Sequence, residues 1–244
     1  MSRSAMFKRV FLVTLTFVSA AAVADMKWGF ADASFNRLDW DRGTEQKSTK
    51  RDFNYLELEG GGLFNWGELY GFFDIENPGK SGDEMRTAGK GSVNYFLGKS
   101  GLTLYGHVYN FSAAGFSEQN RVMGLGYVLA GEKFWFKPFL GFHEVTQTFY
   151  SGSNGYMGGW VVGYFFDIAR AKFLAADWHE YEFGRNEKYA AGNGGKRSSH
   201  NGAASLWWLA HPRVTPGVQW RYATDKLGTG GSLGAFIYTL KFVF

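Results

Sequence analysis

Apolar and polar residues alternate with a period of two along many stretches of the chain. In residues 67–76 the apolar members share one face: Leu69, Gly71, Phe73 and Ile75. The polar and remaining aromatic members share the other face: Glu68, Tyr70, Phe72, Asp74 and Glu76. Successive side chains of a strand point to opposite faces of a sheet, so the pattern predicts a strand with one face suited to lipid and the other to water. The same split occurs in residues 102–109 and 133–143.

The alternating stretches define twelve candidate strands, an even number, as in single-chain bacterial barrels. They lie near residues 26–36, 53–64, 68–76, 90–97, 102–111, 121–129, 133–145, 155–166, 171–183, 199–209, 213–223 and 232–244. Short connections fall at 65–67, 98–101, 130–132, 167–170 and 210–213, and longer polar stretches at 37–52, 77–89, 112–120, 146–154, 184–198 and 224–231. Outer-membrane barrels have short periplasmic turns and longer external loops. The sequence therefore predicts an all-β fold, a transmembrane antiparallel β-barrel of about twelve strands.

The first 24 residues have the features of a secretion signal. Lys8 and Arg9 precede a short apolar run, and Ala22-Val23-Ala24 forms a cleavage site of small residues. The apolar run is shorter than the roughly 20 residues that a spanning helix needs. We therefore expect a cleaved signal peptide at 1–24 and an outer-membrane β-barrel at 25–244.

Composition and charge agree with an exported barrel. Aromatic residues make up 19% of the chain, Gly supplies 34 positions and Cys is absent. A hydrogen-bonded barrel with aromatic girdles at the two membrane interfaces fits this composition without disulfides. Arg3, Lys8 and Arg9 fall in the signal segment, so the remainder is close to neutral and gives no electrostatic case for a nucleic-acid partner.

The last predicted strand has an aromatic and apolar face that ends at the final residue. Its members are Phe236, Tyr238, Leu240, Phe242 and Phe244. A terminal Phe on such a strand resembles the signal that barrel-assembly machinery reads. We therefore expect that machinery and outer-membrane lipid as partners of the chain.

Two short motifs resemble the Tsx/OmpK family of nucleoside-specific outer-membrane channels. Residues 51–59 contain a Tyr-Leu-Glu-x-Glu strand, and residues 68–74 contain a Tyr-Gly-aromatic-x-Asp strand. Residues 123–126, Met-Gly-Leu-Gly, match a third family pattern. The resemblance implies a monomeric twelve-stranded barrel with a narrow lumen in the bacterial outer membrane, and passive uptake of nucleosides. Some members are also phage receptors through their external loops.

A nucleoside presents an aromatic base and a ribose with hydroxyl groups, and it carries no charge. Aromatic side chains can stack on the base, and carboxylates can accept hydrogen bonds from the sugar. The inward face of the first two motif strands supplies both kinds, and the candidate substrate-binding residues are Phe53, Tyr55, Glu57, Glu59, Tyr70, Phe72 and Asp74. The alternative is that these acids pair with lumen cations such as Lys137, Arg221 or Lys90 and fill a narrow barrel.

Two other functions fit the same fold. Outer-membrane phospholipases also have twelve strands and use a His and a Ser two residues apart, facing lipid. In this chain the Ser nucleophile would be expected two residues after His200, but position 202 is Gly, which has no hydroxyl group. Ser198 lies at the same spacing on the other side of His200. A structural or phage-receptor barrel with a closed lumen is the third possibility. No cofactor is expected. Because the chain has no Cys and no close pair of His residues, we also expect no metal. We interpret the inward-facing His107 and His143 as hydrogen-bonding groups of the lumen.

Overall fold

Twelve long antiparallel strands form the fold in the computed structural model, which describes residues 25–244. The proposed signal segment, 1–24, lies outside the described residues. The strands are β1 (Met26–Trp40), β2 (Phe53–Phe64), β3 (Gly67–Glu76), β4 (Arg86–Phe96), β5 (Leu102–Ala113), β6 (Phe116–Tyr127), β7 (Phe134–Gln147), β8 (Tyr150–Ile168), β9 (Ala171–Phe183), β10 (Ser198–Trp208), β11 (Val214–Lys226) and β12 (Thr229–Val243). The predicted strand number and order are therefore confirmed.

The sheet closes on itself. Each strand pairs with its neighbours in sequence, and β1 pairs with β12, where Phe35 lies opposite Leu240. The two-residue strand Leu129–Ala130 only extends the pairing at the start of β7. A closed sheet satisfies the backbone hydrogen bonds of every strand, which is the condition for a sheet to span lipid.

The outer wall of the barrel is apolar and exposed. Leu58, Leu125 and Phe142 are 59%, 52% and 69% exposed. The predicted outward face of the last strand, Phe236 to Phe242 at alternate positions, is exposed in the same way. Such a continuous apolar surface is typical of a wall that faces hydrocarbon. The expected facing of the alternating strands is confirmed.

The connections confirm the prediction at one end and correct it at the other. At the end that carries Asp25 and Phe244, predicted to be periplasmic, all connections are short. At the opposite, external end, the prediction of longer loops is wrong for three connections, 112–120, 146–154 and 224–231. They are two-residue turns at 114–115, 148–149 and 227–228, between strands that extend further than expected. β8 has 19 residues, whereas 9–11 residues are enough for a strand to cross a bilayer. Its outer end therefore extends into water, where both faces of the strand can be polar. The sequence of that end is polar for this reason, and it was predicted to be a loop.

The other three external connections are longer, and two contain short helices, α1 (Arg42–Lys47) and α2 (Glu187–Ala191). The Asp41 carboxylate caps α1 by accepting from the backbone N–H of Thr44 at 2.6 Å. The Asn186 side chain caps α2 by accepting from the N–H of Lys188 at 3.0 Å. In the described part of the chain, neither helix is long and apolar enough to cross a membrane.

Gly124, in the third motif, lies directly opposite Gly141 in the β6–β7 register. A Cβ atom on Gly141 would lie only 2.6 Å from the backbone oxygen of Met123. The two strands therefore approach each other where a larger residue has no space.

Candidate functional site: the lumen

The first hairpin, β2–β3, forms the inner wall on which the sequence placed the substrate-binding residues. In its register Glu57 lies opposite Asp74, and Glu59 lies opposite Phe72. Together with Tyr70 these side chains line the lumen, and they are half-buried or, for Tyr70, 37% exposed. The structure therefore brings five of the seven candidate residues together on one accessible surface.

Phe53 and Tyr55 lie further toward the external end and are packed differently. Both are buried in an apolar cluster with Leu38, Ala235 and Ile237. The Arg86 guanidinium also lies 4.6 Å from the centre of the Phe53 ring. These two rings support the wall above the other five residues and offer little free surface.

The hydroxyl and carboxylate groups of the hairpin are only partly used by the protein itself. The Tyr70 hydroxyl donates to Glu59 Oε1 at 2.7 Å, and Lys241 forms an ion pair with the same carboxylate. Glu57 accepts a 3.4 Å hydrogen bond from the Ser34 hydroxyl. Asp74 Oδ1 is buried without a hydrogen-bond partner. Within residues 25–244, neither Glu57 nor Asp74 forms an ion pair, so both keep acceptor capacity.

The three cations that the sequence suggested as partners of these acids are engaged elsewhere. Lys137 Nζ lies 2.8 Å from Glu68, and Lys90 Nζ lies 2.6 Å from Glu180. Arg221 stacks on Trp178, with its guanidinium carbon 4.9 Å from the ring centre, and donates to the carbonyl of Gly202 at 2.9 Å. None of these three cations pairs with Glu57, Glu59 or Asp74. The alternative, in which the acids pair with lumen cations, holds for Glu59, whose partner is Lys241.

The opposite side of the lumen is filled. The Tyr105 and Phe139 rings stack at 4.3 Å between centroids, beside Val122 and Met157. The predicted inward orientation of His107 and His143 is confirmed, and both are buried. His143 Nε2 lies 2.8 Å from the Asn120 side-chain oxygen. At the level of these residues, the barrel interior between β5 and β8 is packed with side chains.

The loop that contains α2 closes the external end of the filled half. Tyr189 of α2 is fully buried, and its hydroxyl lies 3.3 Å from Lys226 Nζ. Lys226 and Arg185 both pair with Glu182, whose carboxylate is also buried. Burial removes the charged groups from water, and the ion pairs with further hydrogen bonds compensate for part of that cost.

Three lumen residues were not identified from the sequence: Trp178, Glu180 and Lys241. Arg221 was considered only as a possible partner of the acids on the first hairpin. In β9 the two faces are hard to tell apart, because Asp177 and His179 point outward while Leu174 and Trp178 point inward. Charges at alternate positions along every strand, rather than along the first hairpin alone, are the signal that points to Glu180 and Lys241.

The outward side of β9–β11 carries a polar network instead of a Ser–His pair. His200 Nδ1 lies 3.2 Å from His179 Nε2, and His179 Nδ1 lies 2.9 Å from the Tyr222 hydroxyl. The indole N–H of Trp160 donates to Asp177 at 2.7 Å. Trp and Tyr side chains with hydrogen-bonded polar ends are typical of a membrane interface. In the described chain His200 is bonded to another His, and Ser198 is not its partner.

The chain is similar to a solved structure and matches a protein family. The outer membrane channel DcaP of Acinetobacter baumannii is a similar solved structure, with a TM-score of 0.44 and 7% identity over 91% of this chain and 98% of that one. The family described as nucleoside-specific channel-forming protein, Tsx, matches residues 31–242, which is nearly the whole barrel. The resemblance seen in the motifs is thereby confirmed. The chain belongs to the Tsx family of nucleoside-specific channel-forming proteins and is a passive channel of the bacterial outer membrane.

Proposed function

We propose that this channel passes nucleosides along the inner wall of β2–β3, with Phe72 and Tyr70 contacting the base and Glu57 and Asp74 contacting the ribose. The observation that carries the proposal is the pair of carboxylates that face each other without a cation, beside two accessible rings. The Tyr70 and Phe72 ring centres lie 6.5 Å apart and are inclined edge to face. This wall therefore combines an aromatic surface with free hydrogen-bond acceptors.

The chemistry suits weak, repeated binding. A base stacked on an aromatic side chain gains roughly 1–3 kcal/mol. A ribose hydroxyl donates readily to a half-buried carboxylate without a cation, such as Glu57. Asp74 Oδ1 is buried, so it accepts only once its side chain turns toward the lumen. A permeating solute must leave as easily as it enters, so moderate contacts are better than one tight site. Transport on this proposal is diffusion down a gradient and includes no covalent step.

Phe72→Ala tests the aromatic contact. Purified channel in liposomes should lose several-fold of its preference for a radiolabelled nucleoside over a sugar of similar size, because roughly 1–3 kcal/mol of stacking is removed. The control is Phe73→Ala, the adjacent Phe, which is 48% exposed on the outer wall. Equal nucleoside preference in Phe72→Ala, Phe73→Ala and wild type would contradict the assignment of this surface.

Asp74→Asn tests the carboxylate contact. The amide keeps the size of the side chain but loses the charge that strengthens a hydrogen bond from a ribose hydroxyl. We expect the flux of ribonucleosides to fall relative to the flux of a nucleobase that has no sugar. A uniform change for both solutes would assign Asp74 to pore shape rather than to sugar recognition.

We further propose two protein partners. The outward aromatic face of β12, with Phe244 exposed beyond it, is suited to recognition by barrel-assembly machinery. Replacing Phe244 by Ala should lower the yield of assembled barrel in cells.

Phage would meet the hairpins β5–β6, β7–β8 and β11–β12 at the external end. Phage adsorption to cells that carry point substitutions in these turns tests that role.

A further inference from the structure

An ion pair crosses the lumen between nearly opposite walls. Lys90 lies on β4 and Glu180 on β9, five strands apart around the closed sheet. Their charged groups meet at 2.6 Å, and the side chains are largely buried. Two side chains from such distant strands can meet only by extending across the interior, so the pair obstructs the path at this level.

Each member of this pair has an unused partner on its own wall. Lys90 lies opposite Phe72 in the β3–β4 register, and Asp74 is two residues further along β3. Diagonal neighbours of this kind are about 7–8 Å apart, within reach of a Lys side chain. Asp74 Oδ1 has no hydrogen-bond partner. A Lys90 side chain that leaves Glu180 can therefore pair with Asp74 without crossing the lumen.

On the opposite wall of the lumen, Glu180 likewise has a second cation, Arg221. It lies opposite Asn201 in the β9–β10 register, and Asn201 in turn lies opposite Ala223 on β11. Arg221 is two residues before Ala223 on the same inward face. Its guanidinium donates to the backbone carbonyls of Gly202 and Tyr222, and within residues 25–244 it has no carboxylate partner.

The second crossing pair, Lys137 with Glu68, lacks this arrangement. Lys137 lies opposite Val161 on β8, and the adjoining inward positions Gly159 and Gly163 carry no charge. If Lys137 left Glu68, it would have no other carboxylate on the strands beside it. This pair is therefore a fixed brace, whereas Lys90 and Glu180 have charge partners in two arrangements.

We propose that Lys90 and Glu180 form a reversible gate. In the closed arrangement they pair with each other across the lumen. In the open arrangement Lys90 pairs with Asp74 and Glu180 with Arg221, each along its own wall. Lys90 and Glu180 each have a counter-charge in both arrangements, which is a condition for two states of similar free energy. Among the described residues, the closed arrangement leaves Asp74 and Arg221 without an ion-pair partner. The inference takes the lumen as the solute path, as the proposed function does, but it does not depend on which solute passes.

Single-channel recording in planar bilayers, in potassium chloride without nucleoside, tests the gate. Wild type should switch between a low and a high conductance level. Lys90→Ala should show only the high level, and Glu180→Gln, which keeps the side-chain size, should do the same if Lys90→Ala fails to assemble. Asp74→Asn removes the open-state partner of Lys90 and should shift the ratio of the levels about tenfold toward the low one.

Lys137→Ala is the matched control, because it removes a Lys from a crossing pair that has no second arrangement. We expect it to raise the conductance while both levels persist. A single level in wild type, or two unchanged levels in both Lys90→Ala and Glu180→Gln, would overturn the gate. Because the recordings contain only salt, a channel that gates in this way but does not select nucleosides would overturn the proposed function alone.

Discussion

The two halves of the barrel interior treat their polar groups in opposite ways. Beneath α2, Glu182 is bonded to two cations, and His143 lies between two Asn side chains. Along β2–β3, Glu57 and Asp74 face each other without a cation. Every buried polar group that is satisfied by the protein adds to rigidity and is closed to a solute. Side-chain hydrogen-bonding capacity is therefore used up beneath α2 and partly unused along β2–β3, the wall proposed to contact the solute.

The largest expected difference between the halves is in stability. Glu182→Ala leaves Lys226 and Arg185 buried without a counter-charge, so we expect the free energy of unfolding to fall by about 3–5 kcal/mol. Glu57→Ala, on the other wall, should cost less than about 1 kcal/mol because it breaks no ion pair. Urea unfolding of both variants in liposomes measures the difference. Equal losses would remove the distinction between a packed half and an accessible half.

A smaller difference is expected for apolar packing. Met157→Ala opens a cavity in the filled half and should cost about 2–4 kcal/mol. The control is Met123→Ala, which is 76% exposed on the outer wall, where lipid tails replace the lost contacts. The urea concentrations at the unfolding midpoints should separate the two variants. A Met123→Ala loss as large as that of Met157→Ala would show that the outer wall is packed against something other than fluid lipid.

The smallest effect is expected for a single hydroxyl in the lumen. Tyr70→Phe removes the hydrogen bond to Glu59 but keeps the ring, so stability should change by no more than about 0.5–1.5 kcal/mol. Nucleoside flux should fall less than in Phe72→Ala, because the stacking surface remains. The same liposome assay compares the two variants. A larger loss of flux in Tyr70→Phe would make the hydroxyl, rather than the rings, the main contact.

The first hairpin was readable from the sequence because its two faces differ sharply. Acidic residues alternate with Leu69, Phe73 and Ile75, so lipid and water faces are unambiguous. In β9, Asp177 and His179 lie on the outward face and are satisfied by Trp160 and Tyr222 from neighbouring strands. Such cross-strand bonds cannot be seen in one sequence. For the same reason, the ion pair between Glu180 and Lys90 could not be predicted from one sequence.

The packing of Phe53 and Tyr55 was also beyond a strand-by-strand interpretation. Alternation predicts correctly that both point inward. Whether an inward ring lines a path or joins a cluster depends on residues of other strands, such as Leu38 on β1 and Ile237 on the distant β12. The direction in which a side chain points is set by its own strand. Its exposure to the lumen depends on the side chains that all the strands of the closed barrel bring together.

The two-residue turns at the external end have a practical consequence. At 148–149 the side chain of Phe149 is 82% exposed, and the turn joins two strands that hold it rigidly. Exposed loop tips are the sites where inserted sequence is tolerated best. A foreign epitope spliced into this tip would be displayed on the cell surface, while one placed in 184–197 would displace Tyr189 from the interior.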